Sequence, residues 1–90
     1  MSKVEQLQQA LESAFQPEAL EIIDESYKHA GHAGVKEHGG GHFVVHITAD
    51  IFAGKSLIAR HRLVNDAARH LFGATIHALS IHAKTNKENP

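Results

Sequence analysis

His42-Phe43-Val44-Val45-His46-Ile47-Thr48-Ala49 is the stretch whose reading decides the fold. Phe43, Val45 and Ile47 alternate with His42, Val44, His46 and Thr48. A period of two sends one set to a buried face and the other to an open face, so the stretch is a strand. Downstream, Asp50 to Gly54 reads as a turn with room for one tight helical turn. Leu57, His61, Val64, Ala68 and Leu71 then recur at helical steps and predict a helix from Ser56 to Phe72, stopped by Gly73 in the left-handed cap position. Alternation returns from Ile76 to Ala83, with Ile76, Ala78 and Ser80 facing one way and His77, Leu79 and Ile81 the other. A strand, a helix and a strand make a crossover connection, which permits parallel pairing of the two strands.

Upstream of His42 lies a loop, Tyr27 to Gly41, holding Gly31, Gly34, Gly39, Gly40 and Gly41. Before it, Leu20 to about Ser26 reads as a short strand with Leu20, Ile22 and Ile23 as its apolar content. It is placed to pair antiparallel with the His42 strand as a long-looped hairpin. The chain opens with a helix. Ser2 and Glu5 stand at capping-box spacing, and Val4, Leu7, Leu11, Ala14 and Phe15 form one stripe. Pro17 ends it, because proline lacks a donor and disfavours helical geometry at Gln16. The order is helix, strand, strand, helix, strand: an α/β (α+β) single domain, residues 1–85, with a three-stranded mixed sheet and both helices on one face. A polar tail, 86–90, follows. This is the order of a type II KH fold.

Composition bounds the function. Ninety residues, 42% of them hydrophobic, build one core but no deep catalytic cavity. No cysteine is present, which excludes a disulfide framework, a thiol nucleophile and any cysteine-only metal site made by this chain alone. There is no apolar leader and no run of membrane-spanning length, so the expectation is a cytoplasmic protein that does not engage a membrane. The net charge is −1, but residues 1–25 carry one lysine against six acids and residues 26–90 carry eight basic residues against four acids. That weak dipole suits docking to a partner protein and is small for a nucleic-acid binder. The outlier is histidine, nine in the chain. It is the commonest metal ligand and the side chain that changes charge near neutral pH.

The motifs for catalysis are missing. No G-x-S-x-G turn surrounds a serine, and no carboxylate pair stands out. Gly54-Lys55-Ser56 copies the end of a P-loop, but the earlier glycine is absent, since position 49 is alanine. Metal binding is better supplied: His29 and His32 stand three apart in the glycine-rich loop, with His38 nearby. His42 and His46 share a strand face but lie about 13 Å apart at standard rise, too far for one ion. His77 and His82 point to opposite faces of their strand. For nucleic acid, the second helix carries Lys55, Arg60, Arg62 and Arg69 against Asp66, a set that also reads as an ordinary solvated face. Gly31-His32-Ala33-Gly34 has the GxxG spacing of a KH grip but lies between two strands, the wrong place for one.

Asp24-Glu25-Ser26, His42-Phe43, Phe52-x-Gly54, Arg60-His61-Arg62-Leu63-Val64 and His77-Ala78-Leu79-Ser80-Ile81 together resemble the BolA-like proteins, over Val4 to Thr85. The resemblance implies a KH-like fold and a non-enzymatic role. It implies a heterodimer with a monothiol, CGFS-type glutaredoxin, either without metal or with a shared 2Fe–2S cluster, in cluster trafficking or iron and redox regulation. The glutaredoxin side then supplies a cysteine and bound glutathione, and this chain supplies His77 of the His-Ala-Leu motif. A second ligand comes from the loop, which makes this a histidine-type member. Counting forward from Ser26 places His29 on the family's loop histidine and ranks it first, with His32 second; His38 is third, by counting back from His42-Phe43. The isolated chain is expected to hold no cluster tightly and to be a monomer or weak homodimer. His61, on the apolar helix face, is assigned to packing and hydrogen bonding. Some members are linked to transcription, stress response and morphology. The alternative is therefore a DNA-binding regulator using Lys55, Arg60, Arg62 and Arg69.

Overall fold

The computed structural model describes residues 1–25 and 41–87. Helix α1 spans Lys3–Phe15 and strand β1 Ala19–Asp24. Strand β2 spans His42–Thr48, followed by a single 3-10 turn, Asp50–Phe52. Helix α2 spans Leu57–Ala67, with a second 3-10 turn at Arg69–Leu71, and strand β3 spans Ala78–Lys84. The mixed α+β order and the three-stranded mixed sheet are those expected. Strand β2 is central, antiparallel to β1 and parallel to β3. Among the described residues no helix is long and apolar enough to cross a membrane.

Local chemistry accounts for the element ends. Ser2 Oγ accepts from the Glu5 N–H at 3.1 Å, and the Ser2 N–H donates to Glu5 Oε1 at 2.9 Å, which completes the capping box. That bond from the Ser2 backbone, and then the Ser2 hydroxyl, hold the Glu5 carboxyl below its usual range. Helix α1 stops at Phe15, with Gln16 in the left-handed conformation ahead of Pro17. The Gly54-Lys55-Ser56 run is a turn and a cap: Gly54 sits at φ +74°, and Ser56 Oγ accepts from the Ala59 N–H. Helix α2 is shorter than expected. It ends at Ala67 and tightens into the 3-10 turn, a common way to satisfy carbonyls left over at a helix end. Gly73 does take a positive φ, +103°, but in the turn after that.

The core lies between the helices and one sheet face. Phe43, Val45 and Ile47 of β2 join Ile81 and Ala83 of β3, with Leu20 and Ile22 of β1 packed at the side. From the helices come Leu7, Leu11 and Val64, joined by Ala68 just past the end of α2. Phe52 is fully buried, its ring 5.4 Å from that of Phe15. Two expected core residues stay outside. Ala14 is exposed, and Leu57, in the first turn of α2, is 67% exposed. Thr85 is buried and the Asn86 side chain bonds Glu18, so the chain stays against the domain through that point.

Candidate functional site

Parallel pairing makes β2 and β3 begin at the same end of the sheet, and antiparallel pairing brings the end of β1 there too, with Asp24 opposite Phe43 and His42 opposite Ala78. Gly41 organises this end. Its carbonyl accepts from the N–H groups of His77, at 2.8 Å, and Ala78, at 3.2 Å. Its φ is +88°, and a Cβ there would lie 2.6 Å from the Thr75 carbonyl oxygen and 3.0 Å from the His77 nitrogen. Only glycine allows so close a backbone approach in that conformation.

His77 therefore sits in a bend, one residue before β3. Strict alternation through Ile76–Ala83 would turn it toward the core with Leu79 and Ile81. The strand begins only at Ala78, so the period does not reach back. Ile76 is buried through the preceding turn, with its N–H on the Leu71 carbonyl, and His77 is exposed. The half-buried His42 lies beside it, ring centroids 5.1 Å apart and planes tilted by 49°.

The other expected ligands, His29, His32 and His38, lie outside the described residues. What the structure places is the two ends of the connection that carries them. The Glu25 N–H donates to the His42 carbonyl at 2.7 Å, and Gly41 holds His77. Both ends are thus fastened at the end of the sheet that presents His77. Among the described residues no group of three or more His, Cys, Asp or Glu is placed to hold a metal. Imidazole is a suitable ligand for borderline iron.

The basic set separates. Lys55 and Arg62 are exposed. Arg69 pairs with Asp66 one turn away on the surface. Arg60 is no surface residue: it is 7% exposed, its Nε donating to the Lys55 carbonyl and its Nη1 to the Ala83 carbonyl, each at 3.0 Å. A guanidinium presents donors in a rigid fork, and here two of them bond carbonyls on either side of the α2–β3 junction. His61 is half-buried on α2. Gly41 and His42 were not among the expected site residues. His42 had a signal, since its strand pairs parallel with the one after His77; Gly41 had none, standing among the other loop glycines.

The family described as BolA-like protein matches residues 11–88. SufE-like protein 1, chloroplastic/mitochondrial, of Arabidopsis thaliana is 44% identical over 86 residues, which are 91% of this chain and 23% of that protein. The DNA-binding transcriptional regulator BolA of Escherichia coli is 38% identical over 84 residues, covering 93% of this chain and 76% of that one. Among solved structures, the BolA domain of SufE1 from Arabidopsis thaliana superposes with a TM-score of 0.84 at 42% identity, over 99% of this chain and 98% of that one.

Proposed function

The chain belongs to the BolA-like family, and on that footing we propose that it is a non-enzymatic module that pairs with a monothiol, CGFS-type glutaredoxin and shares a 2Fe–2S cluster with it. The observation that carries this reading is the exposed His77, held by the Gly41 carbonyl at the end of the sheet where the 26–40 connection starts and returns. The donor set suits the role. This chain's ligands are His77 and one of His29, His32 and His38; the glutaredoxin side contributes its cysteine and glutathione. Imidazoles in place of thiolates give a 2Fe–2S centre a higher potential, and binding weakens as the imidazoles protonate.

The test is to add the protein to a cluster-loaded monothiol glutaredoxin and follow visible absorption and circular dichroism. The expected result is a new spectrum with the wild type and its loss with His77→Ala. No spectral change with the wild type removes the partnership; the same change with His77→Ala removes the ligand assignment.

The DNA-binding reading draws on the Escherichia coli relative, a DNA-binding transcriptional regulator. On this chain, Arg60 is buried on backbone carbonyls and the exposed Arg69 has its charge offset by Asp66, which leaves Lys55 and Arg62 as the other exposed cations of the proposed track. Two cations release few counterions, so the shared-cluster reading is preferred.

A further inference from the structure

The open face of the sheet carries a second histidine arrangement, apart from the end that holds His42 and His77. His46 of β2 and His82 of β3 are direct register partners, and both are exposed. Their rings stack with centroids 4.5 Å apart and planes 8° from parallel. Glu21 of β1 is the register partner of His46 on its other side and is also exposed, so an acid and two imidazoles form one row across three strands. Lys84, two residues beyond His82, is the nearest cation in sequence on that face. His46 lies four residues along β2 from His42, about 13 Å at standard rise, so the row cannot share an ion with the His77 end.

We propose that His46 and His82 form a two-histidine chelate for an imidazole-preferring divalent transition ion such as Zn2+, Ni2+ or Cu2+. Two imidazole nitrogens on one such ion each lie about 2.0–2.1 Å from it. Neighbouring strands, about 4.8 Å apart, place paired side chains at a separation that suits this. Both side chains face solvent, so rotation about Cα–Cβ and Cβ–Cγ can turn the ring nitrogens from the stacked arrangement toward a common ion. The strands hold both ligands in register before binding, so the second ligation is intramolecular, at high effective concentration. Glu21 adds negative charge beside the pair. The remaining coordination positions are open to water or to donors of another molecule. Ligation requires neutral imidazole, so binding weakens in acid.

Titrating the full chain with Ni2+ and following amide line broadening by NMR tests this. Broadening at low Ni2+ is expected first around Val44–Thr48 and Ser80–Lys84, and is expected to fade in acid. His46→Gln or His82→Gln should each weaken Zn2+ binding by calorimetry about tenfold or more, since either leaves a single ligand. His70→Gln, an exposed histidine in the turn after α2, should leave it unchanged. The chelate is overturned if broadening centres on His42 and His77 or on residues 26–40, if it persists in acid, or if either glutamine variant binds Zn2+ like the wild type. Unchanged far-ultraviolet circular dichroism of the two exposed-site variants shows that they fold. The site does not depend on the glutaredoxin reading, and its failure would leave that reading intact.

Discussion

A Cβ on Gly41 would meet the Thr75 carbonyl oxygen at 2.6 Å, in a backbone conformation that side chains resist, and the carbonyl of the same residue holds the N–H of His77. Position 41 thus links one absent methyl to the placement of a candidate ligand. Gly41→Ala should cost about 1–3 kcal/mol of stability, the range for forcing a strained backbone conformation. It should also shift the His77 amide resonance. Denaturant unfolding and an NMR spectrum check both; stability within about 0.5 kcal/mol of the wild type, the ordinary surface value, would show that the site can relax. His77 itself was legible through the His-Ala-Leu motif. Its exposure was not, because alternation extended through Ile76 and His77 assigns them the wrong surroundings. The bend that reverses them comes from bonds to Gly41 and Leu71, residues distant along the chain or in a preceding turn.

The elements show where local chemistry suffices. Helix α1 starts and ends as its sequence predicts, because Ser2, Glu5 and Pro17 act within one turn of their own positions. Ser2→Ala should cost about 1 kcal/mol through loss of the N-cap. Glu5, held below its usual range by the bond from the Ser2 backbone and then by the Ser2 hydroxyl, stabilises the folded state while ionised. That contribution is present above the ordinary glutamate range, about 4.3, and is lost as pH falls through the lower folded value. Thermal unfolding of wild type and Glu5→Ala should therefore converge in acid; a gap that stays constant to about pH 3 would show that the carboxylate charge plays no part. Helix α2 was less legible. Its start follows from Ser56, but its early end does not follow from Gly73. The helical stripe continues through Ala68 and Leu71, and both are buried even though the backbone has left the α-helix.

At the scale of the molecule, Arg60 ties the crossover helix to the last strand across 23 residues. Arg60→Ala should destabilise the fold by about 1–3 kcal/mol, since it removes the buried bond to the Ala83 carbonyl and the part-buried one to Lys55. Arg62→Ala, on the exposed face, should change stability by no more than about 0.5 kcal/mol. Chemical denaturation of the two variants checks this; equal, small effects would return Arg60 to the surface set. The charge pattern of the second helix made the four basic residues look alike, and no spacing rule separates the buried one. What the sequence by itself determined was the order of elements, the faces of β2, the capping of α1 and the family, because periodicity, caps and motifs act through neighbours in the chain. Tertiary structure alone decided that His77 faces outward beside His42, that Arg60 is buried, and that His46 stacks on His82. Each depends on which strand lies beside which and in what register, and pairing brings together residues that no local pattern connects.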